Sequence, residues 1–175
     1  MVILYIALLA LLIYSVFFIS QFSNIVFKGY APFISTDNLT IKKILDKVEV
    51  KNQPVIYELG CGRARFLKIA EKSFPRAKLV GIENLSSLYL INKLLLKLQG
   101  SRIKLLKKDL FTVNLKNADF IYCYLNNSTM EKLGYKFKQE CRPGTQIVSR
   151  SFPILQFKPE EITIIKNKKI YFYKI

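Results

Sequence analysis

The sequence predicts an α/β domain built on a seven-stranded, mostly parallel sheet with a C-terminal antiparallel hairpin, preceded by one N-terminal transmembrane helix. Three observations carry that expectation. No charged residue occurs before Lys28; beyond Pro54, short apolar runs alternate with segments of helical periodicity; and the tail repeats a strand pattern on either side of Asn167-Lys168.

Taken in order, Val2 to Ile19 is nearly all Ile, Leu, Val, Phe, Ala and Tyr, and a bilayer core needs about 20 such residues in helix. A cleaved signal peptide would want a basic residue ahead of the apolar run and a small-x-small site behind it, and neither stands here. A core helix would show a polar face, which this segment lacks. The expected divisions are a transmembrane anchor over 1–27, a linker and N-terminal helix over 28–53, and the α/β domain over 54–175. Lys28, Lys42, Lys43, Lys47 and Lys51 follow the span. With this one span the chain would be single-pass, and the positive-inside rule then puts its folded domain on the cytoplasmic side of the membrane.

After a linker around Gly29 to Phe33, Thr36 or Asp37 can cap a helix whose apolar positions Ile41, Ile44, Leu45 and Val48 form one stripe. A strand is expected over Val55–Leu59, cut by Gly60-Cys61-Gly62, then a helix through about Ser73 that Pro75 ends. Lys78–Glu83 is the second strand, and Ser86–Gln99 a Leu-rich helix closed by Gly100. Ile103–Lys107 and Ala118–Leu125 are the third and fourth strands. Ser128 and Glu131 make a capping-box pattern opening a helix that turns Met130, Leu133 and Phe137 inward. Pro143-Gly144 leads to a strand over Gln146–Ser149, and Ile162–Ile165 with Ile170–Ile175 form the hairpin.

Composition narrows the chemistry. Among 175 residues, Lys and Arg outnumber Asp and Glu by 28 to 12, a formal charge of +16 that attracts nucleic acid, acidic protein faces or anionic headgroups. The chain has no His, which removes imidazole acid–base catalysis and His-based metal sites. Cys61, Cys123 and Cys141 show no CxxC spacing and read as reduced thiols, so no metal site is expected.

In an open α/β sheet the ligand site lies beyond the carboxyl ends of the strands. Behind the first strand comes Glu58-Leu59-Gly60-Cys61-Gly62-Arg63-Ala64-Arg65, whose glycines allow a sharp turn and close approach to a ligand. Behind the second come Glu83, suited to accept both hydroxyl protons of a ribose, and Asn84. Behind the third, Asp109 suits an adenine amine with Leu110 against the ring; behind the fourth stand Asn126 and Asn127. A dinucleotide fingerprint would need a third glycine where this chain has Arg65. Glu58 instead suits the amino group of S-adenosyl-L-methionine. The expected cofactor-binding set is Glu58, Gly60, Cys61, Gly62, Glu83, Asn84, Asp109, Leu110 and Asn126.

Together, Glu58-x-Gly60-x-Gly62, Glu83, Asp109 and the C-terminal hairpin resemble the seven-strand (class I), Rossmann-like S-adenosylmethionine-dependent methyltransferases over roughly Thr36 to Ile175. A narrower resemblance lies in Ala31-Pro32-Phe33-Ile34-Ser35-Thr36, the Glu58–Arg65 loop and Arg150-Ser151-Phe152-Pro153. These look like the membrane-anchored lysine methyltransferases of ATP synthase c-subunit and adenine nucleotide translocase. Asn126-Asn127 and Gly144-Thr145-Gln146-Ile147-Val148-Ser149 are similar to seven-strand nucleosomal lysine methyltransferases. Where those families carry a third loop glycine and an acidic neighbour, this chain has Ala64 and Arg63.

The resemblance implies methyl transfer to a protein lysine, on a substrate that is itself a candidate membrane protein. Asn126 and Asn127 are the expected catalytic pair: Asn126 would accept a hydrogen bond from the target amine, and Asn127 would hold the loop or the cofactor. Tyr30, Phe33 and Phe152 would wall a channel for an aliphatic side chain. The membrane would be met through the N-terminal helix and a basic face around Lys93, Lys97, Lys104 and Lys107. An RNA or DNA acceptor is the second choice, since Leu125-Asn126-Asn127-Ser128 lacks the prolines and aromatic of nucleotide-amine methylases. A lipid or quinone acceptor, or a non-catalytic cofactor-binding protein, completes the alternatives.

Overall fold

A computed structural model of the chain describes residues 1–28 and 34–175, so the Gly29–Phe33 linker, with Tyr30 and Phe33, lies outside the described residues. The described chain forms two compact units, Met1–Ile34 and Ser35–Ile175. The first is helix α1, Val2–Lys28. Its Val2–Ile19 stretch is long and apolar enough to cross a membrane, and none of it is buried.

The second unit opens with α2, Asn38–Leu45. Of the two candidate caps, Asp37 takes the role. Its Oδ1 accepts the Thr40 N–H at 3.1 Å and its Oδ2 the Thr40 hydroxyl at 2.7 Å. The Thr36 hydroxyl is engaged elsewhere, 2.7 Å from the Tyr122 hydroxyl. Strand β1 (Val55–Leu59), α3 (Arg65–Ser73), β2 (Lys78–Glu83), α4 (Ser86–Leu98) and β3 (Lys104–Lys107) follow. Then come β4 (Phe120–Cys123), α5 (Asn127–Glu140), β5 (Gln146–Arg150), β6 (Glu161–Ile165) and β7 (Lys168–Lys174).

The seven strands form one sheet in the order β3-β2-β1-β4-β5-β7-β6. Neighbours from β3 through β5 are parallel, and β7 is antiparallel to both β5 and β6. The expected fold is therefore present, with two local corrections. The hairpin turns at Lys166-Asn167, one residue before the expected Asn167-Lys168. Both residues take positive φ, 49° and 58°, as a two-residue turn matched to strand twist requires. Helix α5 is capped by Asn126 rather than Ser128. The Asn126 Oδ1 accepts the Thr129 N–H at 2.9 Å, while Ser128 lies inside the first turn and donates its hydroxyl to that same oxygen at 3.1 Å.

The core explains the sequence pattern. Ile41, Ile44 and Leu45 of α2 and Phe66, Leu67 and Ala70 of α3 are buried with Ile56, Phe120, Tyr122, Val148 and Phe172 of the sheet. Phe66 stacks on Tyr122 at 4.1 Å between centroids. Each of the larger aliphatic and phenyl side chains among them contributes roughly 1.5–3 kcal/mol by leaving water. Strand alternation turns Ile121, Cys123, Ile147 and Tyr173 the opposite way, the side on which α5 buries Met130, Leu133 and Phe137.

Candidate active site

The sheet order reverses between β1 and β4, since β2 and β3 lie on one side and β5 on the other. The carboxyl ends of parallel strands at such a reversal frame a crevice. Gly60-Cys61-Gly62 sits at the end of β1, Glu83 at the end of β2, Asp109 two residues past β3, and Asn126 three residues past β4. Four adjacent parallel strands thus bring the expected residues to one rim.

The loop after β1 is shaped by its glycines. Gly60 has φ +71°, and a Cβ on it would sit 2.7 Å from Leu125 Cδ2, so the backbone passes directly under the β4–α5 loop. Gly62 and Ala64 are also left-handed, at 50° and 52°. Ala64 bears a strain that a glycine there would not, about 1 kcal/mol or more. Cross-links fix the turn: the Cys61 N–H donates to the Ile82 carbonyl at 2.9 Å and the Ala64 N–H to the Cys61 carbonyl at 2.7 Å.

Two carboxylates anchor it. Glu83 accepts the Gly62 N–H at 2.9 Å through Oε2 and the Leu85 N–H at 2.8 Å through Oε1. Glu58 lies beneath the first turn of α3 and accepts the Leu67 N–H at 3.3 Å, so a carboxylate satisfies a helix end that has no side-chain cap. Burial, aided by the Glu83 charge, pushes the Glu58 carboxyl well above its ordinary range. Burial also raises Glu83, with the Leu85, Gly62 and Asn84 N–H groups opposing it. Two buried acids with raised pKa values beside a glycine loop suit a ligand that brings a cation and hydroxyl donors. Each carboxylate has about four lone-pair positions, so Glu83 keeps one for a ligand hydroxyl after its bonds to the Leu85, Gly62 and Asn84 N–H groups.

The other expected residues are placed less decisively. Asp109 is half-buried and its Oδ1 accepts the Phe111 N–H at 2.9 Å, folding the loop on itself beside half-buried Leu110. Asn84 is exposed at the rim behind Glu83, and Asn127 is exposed in the first turn of α5. Phe152 is half-buried, and its carbonyl accepts the Ser149 hydroxyl at 2.5 Å.

The structure adds one residue that the sequence did not single out, Asn92, and places Arg150 of the Arg150–Pro153 run. Asn92 is buried on α4 and donates its amide to the Gly62 carbonyl, clamping the glycine loop from a second helix. One amide in the buried stripe Leu88-Asn92-Leu96 was the available signal. Its Oδ1 and the buried Ser87 Oγ have no hydrogen-bond partner among the described residues, which leaves polar capacity beside the loop. Arg150, at the end of β5, is also buried; its guanidinium lies 4.7 Å over the Tyr124 ring.

Known proteins are similar to this chain in sequence and fold. A protein-lysine N-methyltransferase of Saccharolobus islandicus is 27% identical over 154 residues, covering 83% of this chain and 94% of that relative. An RNA methyltransferase from Salinibacter ruber, solved with S-adenosyl-L-homocysteine, superposes with a TM-score of 0.76 at 25% identity, over 81% of this chain and 94% of the other. A precorrin-6y C5,15-methyltransferase from Geobacter metallireducens shares the fold at 16% identity and a TM-score of 0.57, over 66% and 63% of the two chains. Fold and site define an S-adenosylmethionine-dependent methyltransferase of the seven-strand class. The chain belongs to the ANTKMT methyltransferase domain family, whose sequence model matches residues 58–161.

Proposed function

We propose that this methyltransferase modifies a lysine side chain of a protein at a membrane, held there by α1 with the catalytic domain on the cytoplasmic side. The relationship that carries this reading is the match to a protein-lysine N-methyltransferase along 94% of that relative's length. The absence of a proline-rich aromatic run after β4 supports it against a nucleotide amine. The uncharged α1 and the lysines that follow it support the placement.

In this reading Glu83 takes a ribose hydroxyl, and Glu58 pairs with the α-ammonium of the cofactor. Gly60, Cys61 and Gly62 admit its methionine end, with Asn84, Asp109 and Leu110 around the adenine. S-adenosyl-L-methionine held there would supply a methyl group on a cationic sulfur to a nitrogen lone pair, with a neutral thioether as the leaving group. The acceptor must therefore be a neutral amine, and burial beside the glycine loop lowers a lysine pKa enough to free its lone pair. Asn126 positions that amine. Its Oδ1 caps α5 through one lone pair, and the second, taken by the mobile hydroxyl of exposed Ser128, is the one the amine exchanges into. The proton that the lysine ammonium loses on becoming neutral passes to solvent before transfer, and the product is a methylammonium; Asn127 steadies the loop.

Membranes incubated with the purified protein and methyl-labelled cofactor, followed by mass spectrometry, test this directly. Labelled lysine in a membrane protein is expected, and Glu83→Ala is expected to abolish it. Unchanged labelling by that variant overturns the site. Label recovered in nucleic acid establishes the second reading instead, which the Salinibacter ruber neighbour and the +16 charge favour.

A further inference from the structure

Helix α4 is apolar on both sides. Leu88, Asn92 and Leu96 are buried in the domain. Leu90, Leu94 and Leu98 stand two residues further on, roughly 200° around the helix at ~100° per residue. They are 62%, 59% and 75% exposed, and Ile91 and Leu95 beside them are 51% and 39% exposed. A helix at a protein–water boundary puts polar residues on that face, and a contiguous apolar stripe marks a surface that something covers. Exposed Lys93 and Lys97 flank the stripe. Strand β3, on which α4 packs, adds exposed Lys104 and Lys107.

We propose that the outward face of α4 rests on a bilayer surface rich in anionic phospholipid. Its leucines enter the acyl boundary and its lysines meet the phosphates, as in an interfacial amphipathic helix. Charge selects this occupant: a second copy of the chain would bring its own +16 against these lysines, whereas anionic headgroups complement them. The inference rests on the reading of α1 as an anchor, which keeps the domain at high effective concentration near lipid. Its consequence is specificity. Helix α4 starts directly behind Glu83 and Leu85. A helix lying flat on the membrane therefore holds the cofactor rim close to the headgroups, where only lysines at the membrane surface can reach it.

Spin labels on the full chain in vesicles of phosphatidylcholine and phosphatidylglycerol test this. Single added cysteines at Leu8→Cys, Leu94→Cys and Tyr135→Cys report α1, the α4 face and the exposed side of α5; the native Cys61, Cys123 and Cys141 are buried. The Leu8 and Leu94 labels are expected to collide with oxygen in preference to a nickel chelate, and the Tyr135 label the reverse. Lys93→Gln combined with Lys97→Gln is expected to lower the docking equilibrium constant about 25-fold, at about fivefold per lysine, exposing the Leu94 label while the Leu8 label stays in lipid. A water-exposed Leu94 label with Leu8 in lipid overturns this inference alone. A water-exposed Leu8 label overturns the anchor and this inference with it. Spin–spin broadening between Leu94 labels overturns the lipid occupant in favour of a second copy.

Discussion

Glu83 accepts the Gly62 N–H at 2.9 Å, so the acid proposed to hold the cofactor's ribose also holds the glycine loop in shape. The two duties are inseparable, because the same oxygen pair serves both. Glu83→Gln replaces one acceptor with a donor facing a backbone N–H. Hydrogen bonds to charged groups are worth about 1.5–3 kcal/mol, so cofactor affinity is expected to fall roughly 10- to 100-fold. Calorimetric titration measures it, and an affinity within a few-fold of the parent would contradict the assignment.

Glu58 should make stability and binding respond to pH in opposite directions. Its folded pKa is raised, first by burial and then by the Glu83 charge. Ionisation therefore costs the folded state more than the unfolded one, and ligand-free stability falls as pH rises from the ordinary glutamate value towards the raised one. A cofactor ammonium favours the ionised form, so affinity rises over the same window. Glu58→Gln is expected to make the stability profile shallower, with the Glu83 contribution remaining, and to remove most of the pH dependence of affinity. Thermal melts and titrations across that window check both; a parent protein whose stability rises with pH there would refute the sign.

The rim was legible in the sequence because strand ends announce themselves. Apolar runs stop at Leu59 and Ile82, and Gly60 and Gly62 take the left-handed backbone of the turn that follows the first. What escaped depended on contacts between distant segments. Asn92 reaches Gly62 across 30 residues of sequence, a pairing that no local pattern encodes. The choice of Asn126 over Ser128 as the α5 cap turned on which side chain met the Thr129 N–H once β4 had ended at Cys123. Asp109 was recognised by position, yet its Oδ1 is turned to the Phe111 N–H, a competition between turn and ligand that only coordinates display.

Asn126 can be separated into its two roles. Asn126→Ala removes the cap, at a cost of about 1 kcal/mol, together with any contact to the acceptor. Asn126→Ser keeps an N-cap oxygen on a shorter side chain. The serine variant is expected to melt near the parent, bind cofactor normally and still lose most turnover, while the alanine variant loses stability as well. Full activity in the serine variant would reduce Asn126 to a helix cap.

Arg150 offers a test of what burial costs here. Its Nε and Nη1 have no hydrogen-bond partner among the described residues, and its Nη2 stands 3.9 Å from Asp37 Oδ2, beyond hydrogen-bond range. Asp37 already accepts from Lys166 at 2.9 Å and from Thr40, so the ion pair is shared. Against these weak returns, and the favourable contact with Tyr124, stands the desolvation of a guanidinium. Asp37 keeps Lys166 when Arg150 is replaced and is itself partly exposed, so no buried charge is stranded and the desolvation of the guanidinium is relieved. A methionine can also keep contact with the tyrosine ring. Arg150→Met is therefore expected to unfold at the same denaturant midpoint as the parent or a higher one. A loss exceeding about 1 kcal/mol would mean that the Asp37 and Tyr124 contacts outweigh desolvation.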